Sequence, residues 1–330
     1  METHLLQLNS QHLQLAGQLI RQGKLVAFPT ETVYGLGANA LDKDAVQGIF
    51  VAKGRPSDNP LIVHVANAHQ IKQVAYCDNV DVKKVIDAFM PGSLTVVLPK
   101  RDVVPSIVTA GLDTVAVRMP NSQQALDFIS ACQVPVAAPS ANTSTRPSPT
   151  NWQTVAEDMT GKIDAILCGD DCLVGIESTV LDMTQPIPTV LRPGYVTPSQ
   201  ISKVLGKPVV VATNPKDKVN SPGVKYKHYA PRCEMVLNLD GDVQKITNYY
   251  DSQASLGKQV VILAQQTNLF GNRNVLPLGQ TDQDVAQGLF SNLRKCEKHY
   301  DLIVASYTST TELAQSILNR LTKSAGQKIL

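Results

Sequence analysis

Apolar residues along this chain fall into two alternating textures. Short continuous runs such as Leu25-Val26-Ala27-Phe28 have the length and character of buried strands, whereas longer stretches repeat an apolar residue every three or four positions, the spacing of one helix face. Ser10 is placed to cap a helix with Leu13, Ala16, Leu19 and Ile20 on one side, stopped at Gly23. Asp42 is placed to cap a second, bearing Ala45, Ile49 and Phe50 and ended by Gly54. Further strands are predicted at 61–65, 94–98, 114–118, 134–138, 163–167, 178–181 and 189–191. Strands alternating with helices predict an α/β protein. The last two strands leave no room for a crossover helix between them, so the sheet is predicted to be mixed.

From about Val209 the texture changes. Residues 214–232 hold three prolines and one glycine, show little periodicity, and carry Lys216, Lys218, Lys225, Lys227 and Arg232 against Asp217 alone. That composition predicts a linker. Beyond it, strand-like 235–237, 260–263 and 302–305 alternate with helical 242–256, 281–298 and 310–323, a second, smaller α/β unit of ordinary domain size. The predicted division is a first domain over 1–208, a linker over 209–232 and a C-terminal domain over 233–330.

Composition narrows the class. A length of 330 residues suits two domains, and 43% hydrophobic against 18% charged residues excludes a disordered chain. Thirty basic residues against 28 acidic ones leave a net charge of +2, which argues against a dedicated nucleic-acid binder while remaining compatible with weak tRNA contact. Among the six cysteines only Cys168 and Cys172 lie close together, with no second pair or histidine beside them; reduced, buried thiols are the expectation rather than zinc. The N-terminus lacks a basic start followed by an apolar stretch, and no apolar run approaches ~18 residues, so a soluble, cytoplasmic chain without a membrane partner is expected.

Polar and charged residues cluster just after several predicted strands, where open α/β sheets bind ligands. Gly35-Leu36-Gly37-Ala38-Asn39-Ala40 fits a permissive dinucleotide fingerprint, but Thr30 to Tyr34 intervene after the strand and the ribose-binding acid is missing, so that reading is rejected. No G-x-x-x-x-G-K-[ST] occurs either. What remains is a set of anion-binding groups: Lys53 and Arg55 after the second helix, Arg118 and Arg192 at strand ends, and the hydroxyl-rich Pro139–Ser144 and Ser148–Thr150 stretches. Together they point to a polyanionic ligand. His64, on a predicted strand just after the Lys53–Asn59 loop, joins the candidates.

Pro29-Thr30-Glu31-Thr32-Val33-Tyr34-Gly35-Leu36, Lys53-Gly54-Arg55-Pro56, Ser140-Ala141-Asn142, Ser148-Pro149-Thr150, Gly175 to Val180 and Leu191-Arg192-Pro193-Gly194 resemble the YrdC-like family. Ser221 to Pro231 resembles the interdomain motif of its long, two-domain form, the threonylcarbamoyl-AMP synthases. The resemblance implies a twisted mixed sheet with flanking helices, followed by a smaller Rossmann-like domain. It implies that L-threonine, bicarbonate and ATP (with Mg²⁺) give threonylcarbamoyl-AMP and pyrophosphate, and that a downstream threonylcarbamoyl transferase complex passes the group to tRNA adenosine. By the same resemblance Thr32, His64, Arg118, Ala138 and Ser178 would hold threonine. Arg55, Asn59, Thr114, Ser140, Ser148, Arg192 and Tyr229 would hold ATP, with Lys53, Arg55 and Arg118 as the catalytic cations. No direct metal ligand is implied. Thr145 stands where the family usually has glycine, and Val224 replaces a common methionine. The linker would act as a lid, with Tyr229 replaceable by alanine at little thermal cost, and single-domain relatives imply that the first domain holds the catalytic groups.

Two other readings are weaker. Carbamoyl transfer in hydrogenase maturation also uses a YrdC-like domain, but fused to acylphosphatase-like and cysteine-rich zinc modules that this chain lacks. A non-catalytic RNA-binding module fits poorly with a charge of +2.

Overall fold

The structure, a computed structural model, describes residues 2–213 and 228–330. They divide into two compact units: one of residues 2–144, 149–173 and 177–213, the other of 145–148, 174–176 and 228–330.

The strands of the first unit are β1 (His4–Gln7), β2 (Val26–Phe28), β3 (Gly35–Asn39), β4 (Ile62–His64), β5 (Leu94–Pro99), β6 (Thr114–Arg118), β7 (Val136–Ala137), β8 (Ala165–Cys168), β9 (Thr179–Asp182), β10 (Thr189–Arg192) and β11 (Val210–Val211). They form one mixed sheet in the order β1-β8-β2-β3-β7-β4-β6-β5-β9-β10-β11. As the short spacing required, β9 and β10 pair antiparallel. β11 pairs parallel with β10, so Val210 and Val211 are part of this sheet rather than of the linker. Residues 214–227 of the lid stretch lie outside the described residues.

Because side chains alternate across a strand, each strand feeds two faces. Leu36, Val63, Val96, Val117, Leu181 and Val190 join one large cluster under the helix Lys43–Lys53 and its neighbours. On the other face, Val26, Phe28 and Val136 pack beneath the helices Ser10–Arg21 and Gln123–Cys132. Farther along that second face, Ile62, Val97, Ala116, Val180 and Leu191 make a small apolar floor. His64, Arg118, Thr95 and Ser178 share the parity of these floor residues, so alternation sets them on the same face.

The run Gly35 to Asn39, whose glycines mimic a dinucleotide fingerprint, is strand β3. A side chain at Gly37 would come within 2.9 Å of Val136 Cγ1, and one at Gly35 within 3.0 Å of the Phe28 ring. The glycines serve close packing, not phosphate.

The second unit is a parallel four-stranded sheet of β12 (Glu234–Asn238), β13 (Val260–Ala264), β14 (Val275–Pro277) and β15 (Leu302–Ser306), in the order β12-β15-β13-β14. Helices Val243–Ser255, Asp282–Cys296 and Glu312–Ser324 accompany it. The second unit is thus a smaller parallel α/β domain, with a β14 strand that its short, weakly buried sequence did not announce.

Candidate active site

In the first unit, β4 and β6 run parallel with His64 opposite Arg118, both at the carboxyl ends of their strands. Arg118 is 3% exposed. Its Nε donates to the Gly92 carbonyl at 3.1 Å, its Nη1 to Thr32 Oγ1 at 2.7 Å, and its Nη2 lies 2.7 Å from Glu31 Oε1. The turn after β2 brings Glu31 and Thr32 there. Thr30 Oγ1 donates to the Val33 carbonyl at 2.6 Å and accepts from the Thr32 and Val33 N–H groups, locking the turn from within. Burial works to raise the Glu31 pKa, but the close Arg118 charge, aided by the Asn121 backbone N–H, outweighs it and holds the carboxyl below its ordinary range.

His64 is pushed down to about 3, first by burial and then by the Arg118 charge, against the opposing pull of the Ile62 and Val136 backbone carbonyls as acceptors. The imidazole is therefore neutral at pH 7. Its ring meets the Phe28 ring edge-on, with centroids 5.7 Å apart.

Ser178 and Arg192 form a second group. Ser178 Oγ lies 2.7 Å from Thr95 Oγ1, and Arg192 reaches the Ser178 carbonyl from Nη2 at 2.8 Å and from Nε at 3.1 Å. Arg192 should by alternation share the face of Val190. It does not, because the register between β9 and β10 shifts between Val190 and Arg192, and this bulge turns Arg192 to the Ser178 side. Gly194 closes the turn: a Cβ there would lie 2.3 Å from the Thr179 backbone nitrogen.

Lys53 ends its helix before Gly54, which adopts φ +61. Its ammonium donates to the carbonyls of Ser140 and Asn142 at 2.5 and 2.6 Å, and Ser140 Oγ donates to Asn142 Oδ1 at 2.5 Å. Lys53 thus clamps the Ser140–Asn142 loop. Arg55 follows with its guanidinium 6.0 Å from the Phe50 ring and Nη2 3.4 Å from the carbonyl of the fully buried Asn59. The Ala138 N–H donates to the Ile62 carbonyl at 2.9 Å. Thr114 opens the strand that Arg118 closes, so it stands apart from the Arg118 group, about 13 Å along the strand.

Ser148 and Tyr229 belong to the second unit. There Arg294 donates to the Pro147 carbonyl from Nη2 at 2.7 Å, and Glu297 pairs with Arg146. Thr145 carries φ +75, a conformation that glycine adopts freely and a β-branched residue does not, and its carbonyl accepts from the Ala230 N–H. Tyr229 is 5% exposed, with its ring stacked on Phe290 at 5.1 Å. Truncating so buried a ring costs packing, so the expected thermal neutrality of Tyr229→Ala is corrected here.

Sequence reasoning did not single out Glu31, Thr95 or Gly194. The available signal for Glu31 was an acid embedded in an otherwise apolar, hydroxyl-rich run beside a buried strand. Among the described residues no group of three His, Cys, Asp or Glu side chains is placed to hold a metal ion, and no helix is long and apolar enough to cross a membrane. Cys168 and Cys172 are free thiols, both shifted upward by burial.

Comparison with known proteins agrees with this architecture. The sequence model of the Sua5/YciO/YrdC family, described as "Telomere recombination", matches residues 18–194, and that described as "Threonylcarbamoyl-AMP synthase, C-terminal domain" matches 196–326. The threonylcarbamoyl-AMP synthase of Pyrococcus abyssi is 43% identical over 96% of this chain and 95% of its own length. That of Bacillus subtilis is 41% identical over 98% and 95%. The crystal structure of P. abyssi Sua5 complexed with L-threonine superposes with a TM-score of 0.93 at 41% identity, covering 100% of this chain and 99% of that one. With both family models, full-length relatives and the two-unit architecture in agreement, the chain belongs to the threonylcarbamoyl-AMP synthase family.

Proposed function

We propose that this chain is an L-threonylcarbamoyladenylate synthase, converting L-threonine, bicarbonate and ATP to threonylcarbamoyl-AMP and pyrophosphate. The observation that carries the reading is the buried Arg118 fork held beside Thr32 and a neutral His64. A guanidinium presents parallel donors to a carboxylate, and the hydroxyls of Thr32 and Ser178 are the group type that recognises a substrate hydroxyl. Arg55, Asn59, Thr114, Ser140 and Arg192 are the proposed ATP contacts. Lys53 acts by holding the Ser140–Asn142 loop in shape.

The threonine ammonium gives up a proton, and the resulting amine and bicarbonate combine to a carbamate with loss of water. A carbamate oxygen then attacks the α-phosphorus, and the bond from that phosphorus to the pyrophosphate oxygen breaks. No enzyme nucleophile is needed. The chain's contribution is positioning and charge neutralisation. Magnesium enters as the counter-ion of ATP rather than as a resident of the chain. The product would pass to a threonylcarbamoyl transferase acting on tRNA in the cytoplasm.

The test is pyrophosphate release from the purified chain, which should require both threonine and bicarbonate. Valine should fail to replace threonine, since a site built to bond a hydroxyl is left with unpaired groups by the analogue that lacks it. Equal release with valine would overturn the assignment.

A further inference from the structure

We infer that Glu31 is a substrate-binding residue: its buried carboxylate receives the ammonium group of the amino acid whose carboxylate Arg118 takes. This rests on the reading of the Arg118 site as an amino-acid seat. Glu31 is 6% exposed and Arg118 is 3% exposed, so both charges are withdrawn from water. Burying an ion pair is a poor route to stability, because the desolvation cost matches or exceeds the attraction. The pair is also incomplete. Oε1 of Glu31 takes Arg118 and the Ser93 hydroxyl, the latter at 3.2 Å. The Asn121 backbone N–H lies close enough to the carboxylate to help keep it ionised, yet Oε2 is buried and completes no well-aligned hydrogen bond with the described residues, and the same is true of Arg118 Nη2, which faces Glu31 as an ion pair without hydrogen-bond alignment. A carboxylate has about four acceptor positions, so Glu31 keeps unused capacity.

Two unanswered buried atoms of opposite sign, an acceptor on Glu31 and a donor on Arg118, match the two poles of an amino-acid zwitterion. A simple carboxylate would answer Arg118 and leave Glu31 Oε2 stranded. Glu31 thereby selects an α-amino acid over the corresponding hydroxy or deamino acid, and it seats the nitrogen that must meet bicarbonate.

The experiment is calorimetric titration of the full chain and its Glu31→Gln variant with L-threonine and with 3-hydroxybutyrate, which keeps the carboxylate and hydroxyl but lacks the amine. Glutamine retains a carbonyl for Arg118 and Ser93 while removing the charge. The variant should bind L-threonine at least tenfold more weakly and 3-hydroxybutyrate as well as before or better. Equal weakening of both ligands would mean that Glu31 only steadies Arg118, and no weakening would mean that it does neither; either overturns the inference. Should the variant not fold, the unaltered protein decides: it should bind 3-hydroxybutyrate at least tenfold more weakly than L-threonine, and equal affinities overturn the proposal. Failure of the unaltered protein to bind L-threonine would overturn the amino-acid reading itself.

Discussion

Arg118 and Arg55 differ in what surrounds them, and their substitutions should differ accordingly. Arg118→Ala removes a charge-assisted contact worth about 1.5–3 kcal/mol to a bound carboxylate. It also strands Glu31 in the interior, at a cost of about 3–5 kcal/mol in stability. Arg55 is only half-buried, so Arg55→Ala should leave the melting temperature nearly unchanged and weaken ATP instead. Titrations of each variant with each ligand would show exchanged subsites if the pattern came out reversed. His64 makes a separate prediction in pH. Unfolded, its imidazole takes a proton near pH 6.5; folded, it resists until about pH 3. Between those values the unfolded state binds the extra proton, so stability falls on acidification, by about 1.4 kcal/mol per unit inside the window. Glu31, lowered from 4.5, loses its own contribution only at more acid pH. Denaturant midpoints at pH 6 and 5 should therefore drop for the unaltered chain and much less for His64→Gln; identical drops would refute a neutral buried His64.

At the level of elements, the bulge in β10 and the turn after it decide where Arg192 points. Gly194 packs with no space for a side chain, its hypothetical Cβ lying 2.6 Å from the Ser178 carbonyl carbon and 2.7 Å from the Glu177 carbonyl oxygen, both backbone atoms. Gly194→Ala must therefore move the backbone that Arg192 holds. Overpacking of this kind costs about 1–3 kcal/mol. The expected result is a lower melting temperature together with weaker threonine binding through Ser178, and unchanged values of both would show that the turn yields freely. These features also mark how far the site was legible. Val115-Ala116-Val117 is a short continuous apolar run between Thr114 and Arg118, and it reads as a buried strand ending in a cation, which it is. The side on which Arg192 falls could not be read, because a bulge between Val190 and Arg192 breaks the two-residue period, and the Pro193-Gly194 that follows signals only the end of the strand. β3 was hidden for the opposite reason: Gly35 and Gly37 weaken strand propensity, and the close neighbours that require them, Phe28 and Val136, are contacts of the folded sheet.

Across the whole molecule, the α/β class, the mixed sheet and the two-part organisation were legible because periodicity and loop length carry them. The grouping of residues was less so. Segments 145–148 and 174–176 belong with residues 228–330, held by contacts such as Arg294 to the Pro147 carbonyl and Glu297 to Arg146, between residues far apart in sequence. This bears on what a shortened chain would do. Ending the protein after Thr213 keeps all eleven strands of the first sheet, the cores on both faces, and the Arg118, Ser178 and Lys53 groups. It removes the helix Asp282–Cys296, which carries Arg294 and whose backbone lies against Gly175, where a Cβ would come within 2.4 Å of the Ala286 carbonyl oxygen. Four residues that include Ser148 would lose their anchors, although the first sheet would keep its own core. The shortened chain should therefore unfold cooperatively at a lower temperature, bind L-threonine as the intact chain does, and form less threonylcarbamoyl-AMP. Calorimetry and a product assay on both chains test this together. Equal product formation at saturating ATP and threonine would show that the first unit needs nothing from the second, and that the residues after Thr213 serve some purpose other than completing the working site.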